Sequence, residues 1–163
     1  MSVVVSDTSP LHYLVQCGAV DILPALFGEV LVPPTVFREL QHPRTPAVVR
    51  DWIGSAPAWL RIQAPRVVDA SLDVDDGERE AICLAQELRV VAILIDDRKG
   101  RAVATKIGLR VTGTIGLLEA AAARGLTDLS AAIESLRQTN ARLDEDLLRA
   151  ALARAKSRDL GRP

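Results

Sequence analysis

The feature that most constrains this chain is a recurring unit: a short apolar run, an acidic or hydroxyl residue at its end, then a helical pattern. Ser2-Val3-Val4-Val5-Ser6 is the first such run. Three consecutive β-branched residues with no polar alternation read as a strand buried on both faces. Asp7 follows at once, and Pro10 suits the first turn of a helix. That helix carries Leu11, Leu14 and Val15 on one face and stops at Gly18. A second helical stretch covers residues 20–27, and Val30-Leu31-Val32 is the next strand. Pro33-Pro34 then opens a helix reaching Gln41.

Residues 42–70 are less regular, with a helix over 46–53 and a short extended piece at 59–62. Asp75 with Glu78 three residues later forms a variant of the capping box, starting a helix that runs to Leu88. An apolar strand over 90–95 leads into Asp96-Asp97 and a basic helix over 99–107. The strand 109–111 and a helix over 115–123 complete the alternation, and two amphipathic helices, 128–137 and 144–156, follow. Strands alternating with helices, each strand nearly all apolar, predict a parallel sheet covered on both faces, an α/β/α sandwich. With 163 residues, of which 48% are apolar, one domain over 1–163 suffices to bury a core.

Charge excludes some functions and leaves others. The 20 basic and 21 acidic residues nearly cancel, so any nucleic-acid contact must be a local patch. The densest is Arg98, Lys99, Arg101 and Lys106, beside Asp96 and suited to substrate phosphates, although a solvated helix face is its plainer reading. Cys17 and Cys83 each sit in an apolar helical pattern, as buried free thiols do. Residues 1–5 lack the features of a secretory signal and no apolar run approaches a membrane span, so a cytoplasmic protein with no membrane contact is expected.

In open α/β sheets the functional crevice lies beyond the carboxyl ends of the strands. Asp7 and Asp96 end strands, and Glu39 follows the second strand on its helix. Glu80 heads the stripe Glu80, Leu84, Leu88, which places its carboxylate above an apolar face where it needs a partner. With no His or Cys cluster nearby, converging carboxylates point to Mg2+ or Mn2+. Such a cation neutralises them, acidifies water and offsets charge on a phosphoryl oxygen. Each acid also has a duller reading. Asp7 as the cap of its helix is an even alternative, Glu39 as a solvated residue is another, and Glu78 is better read as a cap than as a ligand. His12 and His42 are isolated, and Thr114 reads first as an N-cap.

These residues resemble a known family. Val-Val-Val-Ser-Asp-Thr-Ser-Pro-Leu is similar to the first motif of PIN domains, a strand ending in an acid with a hydroxyl residue, here Ser9, two places on. Val-Pro-Pro-Thr-Val-Phe-Arg-Glu-Leu resembles the segment that delivers the second acid, Glu39, and Asp-Asp-Gly-Glu-Arg-Glu-Ala-Ile-Cys-Leu-Ala the third motif, in a register that selects Glu80. Ile-Leu-Ile-Asp-Asp-Arg-Lys-Gly-Arg with Val-Thr-Gly-Thr-Ile-Gly-Leu-Leu looks like a VapC-related branch. The resemblance implies a PIN-like three-layer sandwich with a central parallel sheet and a C-terminal helical extension, residues 128–157. It implies a metal-dependent endoribonuclease, the toxin half of a toxin–antitoxin pair or a close relative. Asp7, Glu39, Glu80 and Asp96 would bind Mg2+ or Mn2+, with Asp97 as the alternative fourth ligand, since better-known toxins carry their acid in that register. Ser9 and Thr114 would orient carboxylates or water. RNA, an antitoxin protein and a second copy of the chain are the implied partners. The rival readings are a catalytically weak PIN module that binds nucleic acid or protein without cutting, and a receiver-type phosphoacceptor. Ser6 before Asp7, where a receiver pairs acids, argues against the last.

Overall fold

The computed structural model describes residues 1–162. Its sheet has five strands, all parallel, in the order β3-β2-β1-β4-β5, formed by β1 (Ser2–Ser6), β2 (Gly28–Val32), β3 (Leu60–Ile62), β4 (Ala92–Leu94) and β5 (Val111–Thr112). β1 sits at the centre, so Val4 and Val5 are fully buried from opposite faces. The α/β/α sandwich expected from the apolar runs is the fold observed.

Side-chain alternation along β1 divides the core. Val4, Val30 and Leu94 face a large layer with α1 (Thr8–Gln16), α2 (Ile22–Leu26), α3 (Pro34–Leu40), α4 (Ala47–Gly54), α7 (Thr114–Ala123), α8 (Leu129–Arg137) and α9 (Glu145–Leu160). Val5, Leu31, Ile93 and Ile95 face a smaller layer made by α5 (Asp76–Leu88) and α6 (Arg98–Lys106). The chain builds outward from β1 to β3, crosses back over α5 and builds outward again from β4 to β5. The switch point therefore falls between β1 and β4, where the Asp7 amide donates to the Leu94 carbonyl at 2.8 Å.

Local differences have local causes. The strand expected over 90–95 is only Ala92–Leu94, because Arg89 turns left-handed (φ 51°) to end α5 and the Val90 amide bonds back to Ala85. Residues 109–111 form a strand two places later, at Val111–Thr112, because Gly108 (φ 89°) closes α6 and Leu109 donates to Ala104. The helix expected over 20–27 shortens to α2, since Gly18 (φ 70°) and a turn occupy its start. α9 runs to Leu160, past the expected 156, and Glu119 on α7 grips Arg154 through two hydrogen bonds, at 2.5 and 2.9 Å. Leu148 and Ala151 of α9 join the large core, so the C-terminal helices pack as part of that layer. Cys17 and Cys83 are free thiols.

Candidate metal centre

Asp7 leaves β1 at the switch point and precedes α1. The cap reading would have its carboxylate bond the first turn of α1, and no such side-chain cap bond forms. The side chain is 5% exposed. Burial drives its pKa well above the ordinary carboxylate value; the neighbouring Thr8 amide opposes this, and the charges of Glu78, Asp75 and Glu39 add to it.

Four further acids are each set against the start of a different helix. Glu80 accepts from the Thr35 amide at 3.1 Å and from its hydroxyl at 2.8 Å, in the first turn of α3. Glu39 lies against Gly77 in the first turn of α5, where a Cβ would stand 2.8 Å from its Oε1, and it accepts a hydrogen bond from the Thr8 hydroxyl. Glu78 lies against Gly100 in the first turn of α6, where a Cβ would stand 3.1 Å from its Oε1. Asp96 accepts from the Thr114 amide at 2.7 Å and its hydroxyl at 2.6 Å, at the start of α7. Helix starts present unsatisfied N–H groups and a partial positive charge, which is how carboxylates can crowd here without cations.

Among the described residues, none of Asp7, Glu39, Glu78, Glu80, Asp96 and Asp97 takes part in an ion pair. Burial raises the pKa of Glu39; the Thr8 hydroxyl opposes it, while Asp75, Asp76 and Glu80 reinforce it. Glu78 is pushed to about 7, first by burial, then by the charges of Asp75 and Asp97, while the Asp75 amide pulls the other way. Asp96 is raised by burial, with Thr114 and then Arg101 pulling the other way. An all-oxygen donor set with uncompensated, partly buried charge fits a hard divalent cation. Among the described residues no three acids already stand in a ligand group, so a cation would have to draw the carboxylates inward.

The expected site residues separate into an inner and an outer set. Glu39 and Glu78 both bear on Asp7, Asp97 bears on Glu78, and Glu80 bears on Glu39. Glu80 and Asp96 are each held by a threonine. Glu80 does not head an inward stripe: Leu84 is buried but Leu88 is 38% exposed, and the partner Glu80 needs is Thr35. Glu78 is the residue that the capping reading undervalues. The box with Asp75 is present, with Glu78 N–H to Asp75 at 2.8 Å and the return bond at 3.3 Å, yet Glu78 is 4% exposed and points its other oxygen at Gly100. Ala81, Ile82 and Ala85, three, four and seven residues on, lie on the buried face of α5, the signal that marks it as inward.

Supporting roles also move. Ser9 makes no side-chain hydrogen bond among the described residues, and Thr8 is the hydroxyl that touches an acid. Thr114 is not the N-cap, which is Gly113, but the buried first residue of α7 that holds Asp96. Asp97 caps α6 by accepting from Gly100 N–H at 2.9 Å. The basic patch divides: Arg98 and Lys106 are exposed, Lys99 pairs with Asp73 at 2.7 Å, and Arg101 turns back towards Asp96.

An acidic rim at the switch point of a five-stranded parallel sheet, covered by helices on both faces, defines the class: a small α/β domain of nuclease type. A family model described as a PIN domain matches residues 3–157, and the chain belongs to the PIN-domain family. PIN domains are generally nucleases and typically use divalent metal ions. No curated protein matches the chain. No helix among the described residues is long and apolar enough to cross a membrane.

Proposed function

We propose that this protein is a Mg2+- or Mn2+-dependent endoribonuclease, the toxin half of a VapC-like toxin–antitoxin pair. The observation that carries this reading is Asp7: a buried carboxylate at the switch point, crowded by other acids and matched by no cation of the chain. Asp7, Glu39, Glu78 and Asp97 would hold the cation, with Glu80 and Asp96 as outer acids. When bound, the cation supplies an activated water and neutralises charge on the phosphate. The chain itself orients the donors: Thr8 fixes Glu39, Thr35 fixes Glu80 and Thr114 fixes Asp96. Arg98 and Lys106, exposed on α6, would track the RNA backbone. Leu147 and Leu160 are apolar and exposed on α9, which suits a protein partner, either an antitoxin or a second copy.

A mixed-sequence single-stranded RNA pool tests the activity. Cleavage is expected with Mn2+ or Mg2+ and none with chelator. RNA binding without cleavage under either cation would favour the rival reading, a non-cutting PIN module, which the absence of a ready ligand group among the described residues supports.

Gly77 gives a separate handle on the donor set. Ala is favoured over Gly in a helix by roughly 1 kcal/mol, so Gly77→Ala should not destabilise α5 itself. Its Cβ, however, would meet Glu39 Oε1 at 2.8 Å and Oε2 at 3.0 Å. The expected result is a thermal melt little changed and Mn2+ affinity, measured by calorimetry, lowered about tenfold, the lower end of what disturbing a ligand's surroundings costs. Unchanged affinity would remove Glu39 from the donor set.

A further inference from the structure

Arg101 differs from the other cations of α6. It is half buried, and its Nη1 donates to the Ile95 carbonyl at 3.2 Å, at the end of β4. The guanidinium packs against Gly113, where a Cβ would collide with Nη1 and stand 2.8 Å from Asp96 Oδ1. Glycine at 113 thus makes room for both groups at once. Arg101 faces Asp96 without closing an ion pair, while Thr114 donates to both carboxylate oxygens. Of five N–H donors on a guanidinium, one is anchored and the rest find no partner among the described residues.

The rim is also electrically lopsided. Asp75, Asp76, Glu39 and Glu80 crowd the α3 and α5 side, which repels a phosphodiester. Arg101 acts instead on Asp96, and Arg142, from the connection between α8 and α9, acts on Tyr13, which Asp96 also influences. A phosphate entering the rim meets its compensating charge there.

We propose that Arg101 is a further catalytic residue, whose anchored guanidinium grips the non-bridging oxygens of the scissile phosphodiester beside Asp96, at the start of α7. This rests on the ribonuclease reading. In the hydrolysis, a water oxygen bonds to phosphorus and gives up a proton, the phosphorus–oxygen bond to the leaving ribose breaks, and the leaving oxygen takes up a proton, so that one water is added across the broken bond. Negative charge grows on the oxygens that Arg101 holds. A planar fork matches them as an ammonium does not, and pre-anchoring on Ile95 removes the cost of reorganising it.

The test compares the wild type, Arg101→Ala, Arg101→Lys and Lys156→Gln. It measures single-turnover cleavage at saturating RNA in Mn2+, RNA affinity by anisotropy in Ca2+, and rescue by low millimolar guanidinium against potassium chloride of equal ionic strength. Arg101→Ala is expected to cut at least ~10²-fold more slowly, the scale of one lost charge-stabilising donor. Its affinity should fall less than about fivefold, a single phosphate contact's share. Free guanidinium should restore part of the rate, which a merely structural arginine would not allow. Arg101→Lys, which keeps the charge if the alanine variant misfolds, should still cut at least about tenfold more slowly for want of the fork. Lys156→Gln, an exposed cation on α9, should leave the rate unchanged. Cleavage by Arg101→Ala or Arg101→Lys at the wild-type rate, or rate and affinity falling together with no rescue, would overturn the assignment while leaving the ribonuclease reading standing. A wild type that cuts no RNA with either cation would overturn both.

Discussion

Asp7→Asn is expected to reduce cation-dependent RNA cleavage by at least ~10²-fold, the usual order for losing one carboxylate from a site with few ligands. The same substitution should raise the melting temperature of the protein in chelator. Both follow from the position of one side chain. Asp7 is buried at the switch point, and burial, together with Glu78, Asp75 and Glu39, lifts its pKa well above the ordinary value. A folded-state pKa above the unfolded one means that the native state holds the proton more tightly. Stability is then highest at low pH as far as this group is concerned, and it is lost as pH rises from the ordinary carboxylate range through the raised value. Near neutral pH the chelated wild type carries that loss and the Asn variant does not. Adding Mn2+ should reverse the order, because a cation bound only by the native state stabilises the wild type in proportion to the logarithm of one plus its free concentration over its Kd. Melts with and without Mn2+, alongside cleavage assays, would show the crossing. An Asp7→Asn chain that unfolds in chelator, or one that folds and still cuts at the wild-type rate, would return Asp7 to the role of a structural cap.

The fold was legible because hydrophobic pattern and strand burial are the same physical fact. Val3-Val4-Val5 has no polar alternation because both faces of the central strand are covered, and the apolar runs that follow alternate with helical periods for the same reason. The box from Asp75 to Glu78 is local in sequence and formed as the spacing requires. What spacing could not supply is which helix start each acid meets. Glu80 is 45 residues from Thr35 and Asp96 is 18 from Thr114. Those meetings depend on the crossing of the chain at the switch point, which no local pattern records. The glycines at 77, 100 and 113 were readable only in retrospect. In Asp-Asp-Gly-Glu and Arg-Lys-Gly-Arg a helix former is absent from a first turn at a cost of roughly 1 kcal/mol, and the space a Cβ would need is taken by the Glu39 carboxylate at Gly77 and by Ile95 with the Glu78 carboxylate at Gly100. A glycine in the first turn of a helix, near an acid on a neighbouring element, is therefore a usable sign of a site.

Glu78 and Glu80 lie about 200° apart around α5, so one helix cannot turn both towards the sheet. Spacing along Leu84 and Leu88 favours Glu80, but the buried face passes through Ala81, Ile82 and Ala85, which belong with Glu78. The expected result is that Glu78→Gln abolishes Mn2+ binding in calorimetry and Glu80→Gln weakens it less than tenfold, since its charge already rests on Thr35. The two variants should differ in pH dependence as well. Glu78 titrates near 7, because burial and the neighbouring Asp75 and Asp97 make its charge costly. A cation must displace that proton, so wild-type affinity should fall by about tenfold per pH unit below 7, and Glu80→Gln should keep this slope. In the chelated protein the sign matches that of Asp7: the raised pKa costs stability as pH climbs from about 4.5 to 7, and Glu78→Gln should flatten the curve there. Gln can still accept the return bond of the capping box, so the variant keeps the cap. Its melt at pH 5 should therefore lie close to wild type, and at pH 8 it should pass it. Should Glu80→Gln instead abolish binding while Glu78→Gln retains both affinity and slope, the inner donor on α5 is Glu80 and the cap is all that Glu78 provides.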